Sequence, residues 1–184
     1  MVLAGHIYAS YLWEYKAFSC VGGHSPLSNN SSDPPNNGAV LNVSQIIKAI
    51  MSSATKAEIG TLYINCREAI PARHILIVMG HPQPPMPMQT DNTTALGFVN
   101  NTIDPQRTKD MDMRFHWLQC HKRQQQFLHY WRPGQTNNGD YITKHHAAVH
   151  LRAMRTEFFT PKRTLVNLRQ RARALITRST ARVF

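Results

Sequence analysis

Acidic side chains are scarce in this sequence: ten Asp and Glu stand against 21 Lys and Arg, for a formal net charge of +11. That imbalance favours a polyanionic partner, most commonly nucleic acid, although a solvated basic surface or an anionic membrane face would account for charge alone. Cysteine is nearly absent. Cys20, Cys66 and Cys120 are odd in number, far apart and without a C-x-x-C pair, so neither a disulfide framework nor a zinc site is implied. They read as reduced, mostly buried thiols. No run of about twenty apolar residues occurs, and the apolar opening MVLAGHIYASYLW lacks a basic leader and a cleavage site. The expectation is an intracellular protein, cytoplasmic or nuclear, with no membrane association and no secretion route. The Asn-x-Ser/Thr triplets at Asn30, Asn42 and Asn92 then carry no glycosylation meaning.

What is present suffices for one core. Hydrophobic residues make up 42% of 184 and charged residues 17%, so a disordered polyampholyte is excluded. MVLAGHIYA and AFSCVGGHSPLS read as strands, NNSSDPPNNG as a loop of turn formers, and AVLNVSQII as a third strand. Ser52 or Ser53 can cap a helix in which Ile59, Leu62, Tyr63, Cys66 and Ile70 recur at helical spacing. Pro71 should kink this helix and Gly80 should end it. A short strand MPMQT and a helix beyond Asp91 follow. A second amphipathic helix covers TKDMDMRFHWLQCHK, then come a strand QFLHYWRP, a turn GQTNNG, and a last helix from Asp140 through HHAAVHLR. Three strands can form an antiparallel meander, and the later strands join it in parallel through helical crossovers.

The stretches IMSSATKAEIGTLYINCREAIPARH, PMQTDNTTALGFVN, RTKDMDMRFHWL and YWRPGQTNNGDYITKHH, in that order, resemble the ribonuclease H domain at the C-terminal end of copia-type retrotransposon polyproteins. The resemblance spans residues 1–150 and implies an α/β ribonuclease H-like fold, with helices packed on a mixed five-stranded sheet. It also implies cleavage of RNA in RNA–DNA hybrids by two Mg²⁺ or Mn²⁺ ions. Such hydrolysis needs carboxylates converging on cations about 4 Å apart, and Mg²⁺ takes a few carboxylates plus waters and phosphate oxygens. Acids from distant segments must therefore meet. Glu58 shares a helical face with Leu62 and so points toward the sheet, Asp91 sits where a strand meets a helix, and Asp140 opens the last helix. By resemblance these are the second, third and fourth metal-binding, catalytic acids. Each alone could equally be an acid on a helix surface or at a helix N-terminus.

The first acid is missing. Family members carry an Asp near the end of the first strand, in a segment like SDASYLSE, where this chain reads IYASYLWE with Tyr8 in its place. By resemblance that Asp bridges both ions, so the expected consequence is weak or absent hydrolysis, with at most one ion held well. Glu14 lies six residues further along, about 20 Å at strand rise, too far to substitute. The segment 151–184 is a basic amphipathic tail: nine Lys or Arg from Arg152 to Arg182 face one acid, Glu157. It could dock on the domain, lie on an anionic membrane, or contact phosphate, in which case Arg163, Arg169, Arg171 and Arg173 are candidate nucleic-acid contacts. His146 and His150 have the i, i+4 spacing of a transition-metal pair but no evident third ligand. With no polymerase, integrase or protease region in view, the expectation is an isolated remnant of a longer polyprotein. Three readings follow: an impaired ribonuclease H-like domain, a non-catalytic nucleic-acid-binding module, or an unselected reading frame.

Overall fold

A computed structural model describes residues 1–29, 38–102 and 113–159. The start of the TKDMDM helix, most of the NNSSDPPNNG loop, and Arg163, Arg169, Arg171 and Arg173 lie outside the described residues.

The described chain forms six strands: β1 (Val2–Leu3), β2 (Gly5–Glu14), β3 (Phe18–Ser28), β4 (Ala39–Ile47), β5 (Met86–Thr90) and β6 (Phe127–Trp131). Both β1 and β2 pair antiparallel with β3, Leu3 opposite Leu27 and His6 opposite His24. They are thus one strand interrupted at Ala4, and the sheet has the expected five positions. β4 lies antiparallel on the far edge of β3, while β5 runs parallel to β2 and β6 parallel to β5. The ladder between β2 and β5 is short, with Gly5 opposite Met88 and His6 opposite Gln89. Beyond His6 the two strands part.

Helix α1 (Ala54–Val78) starts at Ser53, whose hydroxyl accepts from the Lys56 N–H. It runs through Pro71 as one element. A mid-helix proline removes one backbone bond and costs about 3 kcal/mol, but burial on both sides of it outweighs this. Cys66 and Ala69 before it and Leu76 after it pack into the main core, and the Arg73 guanidinium donates to the Pro84 and Gln83 carbonyls. The helix ends at Gly80, which has φ +85°. There the Gly80 N–H reaches the Ile77 carbonyl and the His81 N–H reaches Leu76, a C-terminal motif that a residue with a Cβ adopts only under strain.

Helices α2 (Thr93–Val99) and α3 (Met113–Arg123) complete the same layer. Ile7, Met86, Met88 and Phe127 from the sheet meet Ile59, Leu62, Ala95, Val99, Phe115 and Leu118 in one cluster. One expectation is corrected at the C-terminal side. Instead of a single last helix from Asp140, there are a five-residue helix α4 (Asn138–Ile142) and a separate α5 (Ala148–Phe159). α4 stops because the Thr143 hydroxyl turns back to the Asp140 carbonyl (2.8 Å) and the Tyr141 carbonyl pairs with His146 Nε2 (2.9 Å). α5 then carries Phe158 back onto His24 and Tyr141, with ring centroids 5.0 and 4.3 Å away. No helix among the described residues is long and apolar enough to cross a membrane.

Candidate functional site

Where β2 leaves β5, its backbone groups on that edge lose their ladder partners, and buried backbone groups need replacements. Two side chains supply them. Glu58 Oε1 accepts the Ala9 N–H at 2.9 Å, and the Asn137 side-chain amide donates to the Ile7 carbonyl at 2.6 Å. The parting of the strands thus opens a crevice beside the carboxyl end of β5, bridged by α1 on one side and α4 on the other. Crevices at the carboxyl ends of parallel strands are the usual ligand sites of open α/β sheets.

Each acid reaches the crevice for a local reason. Glu58 lies on the buried face of α1, one turn before Leu62, and its second oxygen accepts from the Thr90 hydroxyl at 3.4 Å. Burial pushes its carboxyl up to about 8; the Ala9 bond opposes this and the Asp91 charge adds to it. Asp91 follows β5 directly and Asn92, not Asp91, caps α2, accepting from the Ala95 N–H. The Asp91 carbonyl accepts from the Trp131 indole (3.0 Å), and its carboxylate lies against Gly134, where a Cβ would come within 2.7 Å of it. Burial raises its pKa, with Asp140 contributing and Lys144 opposing.

Asp140 is placed by glycine packing. A Cβ at Gly139 would lie 2.7 Å from the His6 carbonyl oxygen and 3.0 Å from the Tyr8 nitrogen, and one at Gly22 on β3 would collide with the Gly139 carbonyl and the Thr143 methyl. Backbone therefore rests on backbone, and Asp140 comes beside Tyr8. The Tyr8 phenol is pushed up to about 12 by burial and by the charges of Asp140, Asp91 and Glu58. Lys144 completes the group: its ammonium is 2.6 Å from Asp140 Oδ1 and 2.9 Å from Oδ2, and 5.4 Å from the centre of the Tyr8 ring.

Glu58, Asp91 and Asp140 thus share one neighbourhood around a neutral phenol. Their fit to a pair of divalent ions is poor. Among the described residues no group of three or more His, Cys, Asp or Glu is arranged to hold a metal ion, and both Asp140 oxygens face an ammonium. His146 stacks on Tyr141 with His150 tilted beside it, and His146 Nε2 is taken by the Tyr141 carbonyl.

No family model matches the chain and no curated protein matches it. Solved structures do. A ribonuclease H1, LC11, isolated from compost by a metagenomic approach, superposes with a TM-score of 0.54 at 10% identity, over 77% of this chain and 90% of its own. The N-terminal RNase H domain of rv2228c from Mycobacterium tuberculosis gives 0.53 at 12% identity, covering 77% and 90%. LC11 RNase H1 in complex with an RNA/DNA hybrid gives 0.51 at 7% identity, covering 77% and 91%. The fold is that of ribonuclease H. At these identities the likeness concerns the ribonuclease H-like backbone alone.

Three contributors to this site escape a reading by residue type. Asn137 and Gly139 act through backbone contacts that only the folded sheet creates. Lys144 stands four residues after Asp140 but beyond the end of α4 at Ile142, so its contact with Asp140 depends on the turn at Thr143.

Proposed function

We propose that this chain is a ribonuclease H-like domain of copia-type retroelement origin that engages RNA–DNA hybrids and hydrolyses their RNA weakly or not at all. The observation that carries the reading is the neutral Tyr8 phenol among Glu58, Asp91 and Asp140, where the motif order calls for a fourth carboxylate. Mg²⁺ or Mn²⁺ is the ion class that the resemblance implies, and by that resemblance Glu58, Asp91 and Asp140 occupy its ligand positions. Because the donor set as placed does not fit two ions, no hydrolytic step is assigned to it. A ribonuclease H1 of the same fold has been crystallised with an RNA/DNA hybrid, which supports hybrid as the partner class.

The experiment is cleavage and binding of a labelled RNA–DNA hybrid in Mg²⁺ and in Mn²⁺. The unmodified chain is expected to bind and to cut poorly. Tyr8→Asp should raise cleavage by about a hundredfold or more, equivalent to roughly 2.7 kcal/mol of barrier, and adding Asp91→Asn should remove the gain. Robust metal-dependent cleavage by the unmodified chain would overturn the impairment. The same lesion favours a second reading, a non-catalytic nucleic-acid-binding module. In that reading Arg163, Arg169, Arg171 and Arg173 contact phosphates, and log affinity falls with log salt by about 0.9 per phosphate neutralised on duplex DNA. Deleting the chain from Lys162 onward should flatten that slope, and an unchanged slope would remove those four arginines from the interface.

A further inference from the structure

The positive charge of the crevice belongs to the protein itself. We propose that the Lys144 ammonium is the resident cation of this site, holding Asp140 in an intramolecular ion pair so that the crevice excludes divalent metal at that carboxylate. The inference rests on the site reading above and goes beyond the loss at Tyr8, because it names a second obstacle on a different element.

Three observations converge. Lys144 reaches both oxygens of Asp140, at 2.6 and 2.9 Å, the atoms through which a metal ion would bind. Its ammonium also lies over the Tyr8 ring, where the negative face of the π-system favours a cation. Asp140 and the Tyr8 ring thus share one ammonium. The same charge also acts on Asp91. A single lysine therefore neutralises the side of the crevice formed by the two aspartates.

The pair is partly open to solvent, the Lys144 and Asp140 side chains being 42% and 31% exposed. Isolated exposed ion pairs are weak, but the competition here is between a tethered cation and a free one. Lys144 sits four residues from Asp140, directly after the turn closed by Thr143, and a short tether presents its group at an effective concentration of about millimolar or more. A divalent ion arriving from solution must displace that ammonium, shed water, and tolerate its repulsion nearby. With no carboxylate at position 8, the remaining donors are too few to compensate.

The test is titration of the protein with Mn²⁺ alone, followed by electron paramagnetic resonance of the free ion, in the unmodified chain and in Lys144→Ala, Lys144→Met and Lys144→Arg. No nucleic acid is present, so failure of hybrid cleavage leaves this result intact, and failure of this result leaves hybrid binding intact. Lys144→Ala and Lys144→Met should bind Mn²⁺ at least about tenfold more tightly than the unmodified chain, a gain that Asp140→Asn removes. Lys144→Arg should behave like the unmodified chain, since the fixed charge persists. Lys144→Met keeps the aliphatic stem over Tyr8 and so separates lost charge from lost packing. Equal Mn²⁺ affinity in all four proteins, or saturable Mn²⁺ binding by the unmodified chain that Asp140→Asn abolishes, would overturn the proposal.

Discussion

The two faces of the sheet are built from different chemistry although they share every strand. Alternation along β2, β5 and β6 sends Ile7, Met88, Met86 and Phe127 to one face, where they meet Leu62, Cys66 and Leu118 in a buried apolar cluster. The other face receives His6 and Tyr8 from β2, Gly22 and His24 from β3, and Gln89 from β5, and is covered by α4 and by Phe158 of α5. One face buries surface against long helices, and burial of apolar area is the dominant source of stability. The polar face is closed by short segments, backbone contact and ring stacking. Folding and chemistry are thereby separated: substitutions on the apolar face should cost stability, and those on the polar face should change what the crevice holds.

The largest expected effect tests the apolar side. Leu62 is fully buried between α1 and the sheet, so Leu62→Ala should cost about 2–5 kcal/mol through lost transfer energy and the cavity left behind. Urea denaturation reads this as a lower midpoint at unchanged slope. A loss below about 1 kcal/mol would mean that this face is less tightly packed than its burial indicates.

A middle-sized effect sharpens the contrast through glycine. Gly139→Ala places a methyl 2.7 Å from the His6 carbonyl, and backbone cannot step aside as a side-chain tip does, so about 1–3 kcal/mol should be lost to overpacking. Gly60 in α1 is the control. There the nearest atom to an added Cβ is Met51 Cε at 3.7 Å, an ordinary contact, and Gly60→Ala should be neutral or stabilise by up to about 1 kcal/mol through helix propensity. If both substitutions cost the same, the close seat of α4 on β2 is not what fixes Asp140.

Much of this architecture was readable before the fold was known, and the boundary of legibility is physical. β4, β5 and β6 fall where β-rich runs stand between turn formers, and Ser53, Gly80 and the i, i+4 pair Glu58 and Leu62 mark α1 through local chemistry. These signals depend on a residue and its near neighbours. That α1 passes Pro71 and ends at Gly80 is also readable, but what holds the helix together there is not local, since it depends on core contacts made by Ala69 and Leu76 on either side. The break between α4 and α5 is set by Thr143 and His146 closing onto carbonyls, in a stretch whose composition reads as helical throughout. Within the crevice the acids were visible as residue types, whereas Asn137, Gly22 and Gly139 become meaningful only once β2 has parted from β5.

The smallest effect concerns the one polar ring set into the apolar face. His129 stands opposite Met88 in the ladder, beside Phe127, and neither ring nitrogen has a hydrogen-bond partner among the described residues. Burial, with the Lys122 charge nearby, pushes its pKa down to about 4 from 6.5. The folded chain therefore keeps this ring neutral while the unfolded chain protonates it below about 6.5. The unfolded state binds more protons in that window, so stability is fully present above it and falls as pH drops from about 6.5 toward 4. The slope is limited to one proton, about 1.4 kcal/mol per pH unit. His129→Phe keeps a flat ring at the position and removes the titration. Denaturation midpoints measured at pH 7, 6 and 5 should diverge, the unmodified chain losing up to that amount per unit more than the variant. Parallel curves would show that the apolar face admits water or a counter-charge at His129, and the contrast between the two faces would weaken at that point.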